Sequence, residues 1–119
     1  LHLSTLKPFD PAPIVDHAAS VRHGVVTLEN HLVAGGIGSM VAEALAEAGL
    51  GKPLVRLGLQ DTYAHGGSRP YLMRHYGLDA LALVRAVERL AGQDTGIAEA
   101  DLSAVRLEPV HSAAKAEAL

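Results

Sequence analysis

Val25-Val26-Thr27-Leu28-Glu29-Asn30-His31-Leu32-Val33-Ala34-Gly35-Gly36-Ile37-Gly38-Ser39-Met40-Val41 is the stretch on which the fold turns. Its first four residues form a short apolar, β-branched run of the kind that fills a buried strand. Glu29 to Gly36 reads as a loop. From Ile37 the period changes. Ile37, Met40, Val41, Ala44, Leu45 and Ala48 recur at helical spacing, with Glu43 and Glu47 on the opposite side. Gly49 and Gly51 end that helix. A second strand follows at once, Pro53-Leu54-Val55-Arg56-Leu57-Gly58-Leu59, with proline only at its first residue, where a sheet tolerates it.

The same alternation extends to both sides. Upstream, Leu1-His2-Leu3-Ser4-Thr5-Leu6 has the pattern of the second half of a strand, broken by Lys7-Pro8-Phe9-Asp10-Pro11. Asp10 is placed to cap a helix and Pro11 suits its first turn, where no amide donor is missed. Ile14, Val15, Ala18 and Ala19 fall on one face of that helix, and Gly24 closes the segment. Downstream, Gln60 to Pro70 is a glycine-rich polar loop. Pro70 opens a short helix through Tyr76, stopped by Gly77. Asp79 caps another, whose apolar stripe is Ala80, Leu83, Val84, Val87, Leu90 and Ala91. From Gly92 the pattern weakens. Ile97 to Leu107 has helical character, Pro109 interrupts it, and Ser112 to Ala118 is helix-prone through its alanines. Strand and helix thus alternate three times, which predicts an α/β fold with a mostly parallel sheet and right-handed crossovers. Three strands are few for such a sheet, which needs neighbours and both faces covered. With Leu rather than Met at position 1, the expectation is a chain that begins inside a larger polypeptide and lacks its first strand and helix.

Composition narrows the function classes. A chain of 119 residues makes one modest domain. With 49% hydrophobic and 19% charged residues it has the composition of a folded domain, not of a disordered chain. A net charge of −3 argues against binding driven by nucleic-acid phosphates, and 3% aromatic residues leave few platforms for base stacking. The absence of cysteine excludes disulfides and Cys-based zinc sites and fits a cytoplasmic protein. No apolar run approaches the roughly 20 residues that span a bilayer, so neither nucleic acid nor membrane is expected as a partner.

Few residues carry candidate chemistry. Gly35, Gly36, Gly38 and Ser39 open a helix, and a helix N-terminus attracts anions. A dinucleotide fingerprint, however, needs glycines directly after the strand and a small residue where Val41 stands. Glycines that let the helix start approach neighbouring backbone are the simpler explanation. Glu29 and His31 lie at the carboxyl end of a strand, the edge where open α/β sheets bind ligands. Such a pair can transfer protons, but more often it holds a loop or lines an interface. Arg69, beside Gly66-Gly67, is a candidate for meeting an anion. The seven histidines show no metal-ligand spacing, and no Gly-x-Ser-x-Gly is present.

The ordered set of motifs resembles the C-terminal domain of the transketolase family. Leu6-Lys7-Pro8-Phe9-Asp10, Val25 to His31, Gly35-Gly36-Ile37-Gly38-Ser39 with Val41-Ala42-Glu43, Val55-Arg56-Leu57-Gly58 and Tyr76-Gly77-Leu78 carry it. They are similar to the family's "KPxD" turn, "vvTxExH" strand end, "GGxGs" helix start and "yGL" before the closing helix. The resemblance implies a three-layer α/β/α sandwich over residues 1–91, with 92–119 as a partly helical extension. It implies a piece of an enzyme that uses thiamine diphosphate and a divalent metal, Mg, to transfer a two-carbon ketol unit between sugar phosphates. In that family the cofactor is held by the preceding domains, so no catalytic, cofactor-binding or metal residue transfers to this stretch, and no cofactor is expected here. Glu29, His31, Gly35, Gly36, Gly38 and Ser39 match motifs that mark the domain rather than a step of the reaction. The implied partners are the N-terminal thiamine-binding domains or subunit of the same enzyme, as a homodimer. Gly66-Gly67-Ser68-Arg69-Pro70-Tyr71-Leu72 departs from the family's "FGxSG" loop, which points to the type split into two subunits. Relatives making deoxyxylulose phosphate, a docking domain of the 2-oxo acid dehydrogenases, and a ligand-sensing module are the alternatives.

Overall fold

The computed structural model describes residues 1–105. Six elements follow in order: α1 (Ala12–Ser20), β1 (Val25–Leu32), α2 (Ile37–Glu47), β2 (Leu54–Leu59), α3 (Arg69–His75) and α4 (Ala80–Ala91). A 3-10 turn, Glu99–Val105, comes after them. The strands pair in parallel, Val25 opposite Leu54 and Leu28 opposite Leu57. The ladder then slips, because Leu32 pairs with Leu59, so β1 takes four steps where β2 takes two. Extra residues of this kind re-aim side chains locally. Here two extra residues fall within Glu29, Asn30 and His31, which face Gly58 alone. Gly58 makes room for them, since a Cβ there would stand 2.9 Å from the His31 carbonyl oxygen.

Helices cover both faces of the sheet, giving three layers. On one face Ile14, Ala18, Val41 and Leu45 form the buried core, with Phe9, Val25, Ile37, Leu50 and Leu54 packed around it. Burial of a side chain such as Ile14 or Leu45 stabilises by about 1.5–3 kcal/mol. On the other face α4 packs against both strands. Its Ala86 is completely buried.

Helix boundaries have local causes. The Asp10 carboxylate accepts the Ala12 N–H at 3.1 Å, just ahead of α1. Asp79 caps α4 through the Ala82 N–H at 2.9 Å. At the far end Gly92 adopts φ +65°, the left-handed conformation glycine reaches without a Cβ penalty, and its N–H reaches the Glu88 carbonyl. The Glu88 carboxylate then ties the following loop to the helix. It accepts from the Thr95 hydroxyl at 2.7 Å, from the Thr95 N–H at 3.1 Å and from Arg85 Nη1 at 2.7 Å. The Thr95 hydroxyl, then Arg85, then the Thr95 amide hold its pKa down at about 2, from an ordinary 4.5.

Three expectations are corrected. Leu1 to Leu6 joins no ladder, and among the described residues the sheet has two strands rather than three. Leu3 instead packs as a side chain against the core. The first strand does not stop at Leu28 but runs to Leu32, because β2 and the Val33 N–H bond to Leu59 continue the pairing. In α4 the buried line is centred on Ala86, while Leu83 and Val87 are 36% and 43% exposed. A two-stranded sheet is too narrow to cover the whole apolar stripe. Within Ile97 to Leu107 the 3-10 turn covers Glu99–Val105, and residues 106–107, like Ser112 to Ala118, lie outside the described residues.

Removal of the α4 cap in Asp79→Ala is expected to cost about 1 kcal/mol of stability in chemical denaturation. A depressed folded-state pKa stabilises above the ordinary value and loses its effect as pH falls through the folded one. The Glu88 tie should therefore weaken between pH 4.5 and about 2. An NMR titration of the Glu88 carboxylate carbon should find its midpoint near that lower value, moving upward in Thr95→Val. A wild-type midpoint at 4.5 would contradict the tie.

Candidate functional site

Five of the residues singled out by sequence, Glu29, Gly35, Gly36, Gly38 and Ser39, meet where β1 gives way to α2. The first amides of a helix have no intrahelical partner, and Gly36, at the N-cap of α2, has no side chain to offer them. Glu29 supplies the acceptor from the strand. Its Oε2 accepts the Ile37 N–H at 2.7 Å and its Oε1 accepts the Gly38 N–H at 2.8 Å. The carboxylate is buried, with Glu29 only 8% exposed. A buried charge is tolerable when it is fully hydrogen-bonded, and the positive end of the helix dipole adds to the attraction.

This contact explains the glycines. A Cβ on Gly36 would fall on Glu29 Oε2, and one on Gly38 would stand 2.8 Å from Arg56 Cδ and 2.9 Å from Thr27 Oγ1. Gly36 has φ −89°, so close approach, not conformation, demands glycine there. Gly35 supplies the turn itself at φ +76°. Ser39 fastens the loop from the other side. Its hydroxyl donates to the Val33 carbonyl at 2.9 Å and accepts the Gly35 N–H at 3.0 Å. Arg56 Nη1 reaches across from β2 to the same carbonyl at 3.1 Å and to Ser39 Oγ at 3.2 Å. Thr27 is packed beneath Gly38 with its hydroxyl buried and unpaired.

His31 is not brought into this cluster. It is exposed, and its Nδ1 meets the Leu32 carbonyl at 3.1 Å. Glu29 is bonded to α2, not to His31, so the two form no acid–base pair. Arg69 is the first residue of α3 and exposed, and it makes none of the loop's hydrogen bonds. It lines two clefts, together with Asn30 and Met73 in both.

Sequence reasoning missed a cluster of four rings. His65 donates its backbone N–H to Tyr76 Oη at 3.3 Å, and its ring nitrogens lie 3.1 Å from Tyr76 Oη and 3.3 Å from Tyr71 Oη. His75 stacks on Tyr71 at 5.6 Å and meets Tyr76 edge-on at 4.7 Å. The signal was present in Tyr71 and His75, four apart and so on one face once Pro70 starts a helix. His65, from the loop, was not placeable by spacing.

A strand-borne acid capping a Gly-Gly-x-Gly helix start is set in a three-layer parallel fold. Residues 1–83 match the family described as transketolase, C-terminal domain. The chain belongs to this family. It is 43% identical over 89 residues to the 1-deoxy-D-xylulose-5-phosphate synthase of Cupriavidus necator, covering 75% of this chain and 14% of that one. The corresponding synthase of Thioalkalivibrio sulfidiphilus is 44% identical over 87 residues, covering 73% and 13%. A solved split-gene transketolase, in an inactive β4 tetramer, superposes with a TM-score of 0.64 at 36% identity, covering 74% of this chain and 28% of that one. The chain thus spans about one seventh of the length of these two synthases.

In this transketolase C-terminal domain the α2 amides, a natural cradle for phosphate, are already occupied by Glu29. A diphosphate does not fit there, because it would meet a carboxylate. Among the described residues no three His, Asp or Glu side chains stand together to hold a metal ion. No described helix is long and apolar enough to cross a membrane.

Glu29→Ala leaves two α2 amides without their acceptor and should cost about 3 kcal/mol, read from denaturant midpoints. Gly36→Ala, which displaces the same carboxylate, should cost a comparable amount. In the double variant the two losses should not add. Full additivity would show that the glycine serves something other than the Glu29 contact.

Proposed function

We propose that this chain is the non-catalytic C-terminal domain of a thiamine-diphosphate-dependent transketolase-type enzyme that moves a two-carbon ketol unit between sugar phosphates. The observation that carries this reading is the engagement of the motif itself. Glu29 bonds to the α2 amides, and Ser39 bonds to the Val33 carbonyl and to Arg56, which makes them a brace rather than a reaction centre. Residues 1–91 are the domain, and 92–119 an extension whose first turn, Glu99–Val105, packs on α4. The cofactor and its Mg belong to the other domains or to a second subunit.

The domain's role is to steady the subunit and join the dimer. Half-exposed Leu28 and Leu32 on β1, with Leu83 and Val87 on α4, leave apolar surface suited to the rest of the enzyme. The departure at Gly66 to Leu72, with the likeness to a split-gene transketolase, favours the type divided into two subunits. We assign it to the cytoplasm, where a chain without cysteine loses nothing. A second reading is favoured by the 43% and 44% identical relatives: a synthase of 1-deoxy-D-xylulose-5-phosphate.

The complete enzyme, purified with its natural subunits, should transfer a ketol unit between sugar phosphates when thiamine diphosphate and Mg are added. Formation of 1-deoxy-D-xylulose-5-phosphate instead would select the second reading. Calorimetry on residues 1–119 alone should detect no binding of thiamine diphosphate. Micromolar binding, or product formed by this piece unaided, would overturn both.

A further inference from the structure

A helix start that already holds Glu29 cannot also receive an outside anion. A ligand at the carboxyl edge of the sheet, the usual binding edge of such folds, needs another cation. One cleft on that edge has it. Asn30 of β1 and Leu59 of β2 form one wall, Leu72 and Leu78 supply apolar surface, and Arg69 and Tyr76 bring polar groups. The cleft measures about 270 Å³. Pockets for drug-sized ligands run from roughly 300 to 1,000 Å³, so this one has room for a single ring or short chain and not for a nucleotide.

Two features make it more than a crevice. Neither the Arg69 guanidinium nor the Asn30 amide has a hydrogen bond or ion pair to a described residue, although both line the cleft. Idle donors at the rim of an apolar pocket fix the charge of what fits. A guanidinium meets a carboxylate or phosphate bidentately, and an amide N–H₂ adds a further donor. The outer wall is also pre-formed. The bonds from His65 to Tyr71 and Tyr76 hold the loop carrying Ala64 and Gly67 against α3, so little ordering is left for binding.

We propose that this cleft binds a small organic anion, one carboxylate or phosphate joined to an apolar body of about one ring, with the anion on Arg69 and Asn30 and the body against Leu59, Leu72 and Leu78. The site is not the helix start that Glu29 fills, although Arg69 and Asn30 also line the neighbouring cleft bordered by Glu29 and Ile37, and it lies outside the reaction assigned to the enzyme.

The test is calorimetric titration of the full-length protein with phenyl phosphate, inorganic phosphate and benzyl alcohol, so binding is read without turnover. Phenyl phosphate should bind saturably. Inorganic phosphate, lacking the body, and benzyl alcohol, lacking the charge, should each bind roughly tenfold more weakly or less. Arg69→Gln and Asn30→Asp, both at exposed positions, should weaken phenyl phosphate by a similar factor with melting temperatures unchanged. Arg89→Gln, on the exposed side of α4, should not. Absence of saturable binding, equal binding of inorganic phosphate, or binding indifferent to both cleft variants would overturn the proposal.

Discussion

The structure depends on one carboxylate placed against two amides. Glu29 leaves a strand and closes the open end of the helix that follows it, accepting from Ile37 and Gly38. Each partner removes the other's difficulty. A buried carboxylate costs several kcal/mol unless it is hydrogen-bonded, and a buried helix start is left with unsatisfied donors. Joined, they fix how near α2 lies to β1 and in what rotation. Much of the neighbourhood follows from that distance. Gly36 has no Cβ because the carboxylate is there, and Gly38 has none because Arg56 and Thr27 are. The slip in the ladder at Glu29 to His31 gives the strand the residues it needs to aim the acid.

The same contact governs what the domain can do. A glycine-rich helix start after a parallel strand is a common place for phosphate, and here the protein has filled it with its own charge. Ser39 and Arg56 complete a brace across loop, helix and second strand. Such a unit suits a wall of a larger enzyme, consistent with a chain that covers about one seventh of its synthase relatives. What remains open along the edge lies farther on, where α3 begins. There Arg69 stands over an apolar cleft whose far wall is held by histidine–tyrosine contacts.

Much of this was legible in the residues. The apolar β-branched run from Val25 and the helical period from Ile37 located the start of β1 and the whole of α2. Asp79 and Gly92 marked the ends of α4 because capping is local chemistry that needs only nearby backbone. Glu29, Gly35, Gly36, Gly38 and Ser39 could be singled out from the residues, and in the structure they meet in one cluster. His31 was not part of it, since a strand's alternation gives a residue's face but not its partner. Arg56 entered from 17 residues beyond Ser39, a separation at which spacing carries no information. The ring cluster was hidden for the same reason, with His65 on an irregular loop.

The sequence by itself determined the four helices with their approximate ends, the starts of the two strands, and to which family the ordered motifs are similar. These are consequences of short-range pattern and backbone chemistry. Only the tertiary structure decided that Glu29 belongs to a strand rather than a loop, that its charge is used on α2, and that Ala86, not Leu83 or Val87, faces the sheet. Those outcomes rest on contacts between residues far apart in the chain, and packing sets the energy of such contacts only after the layers have come together.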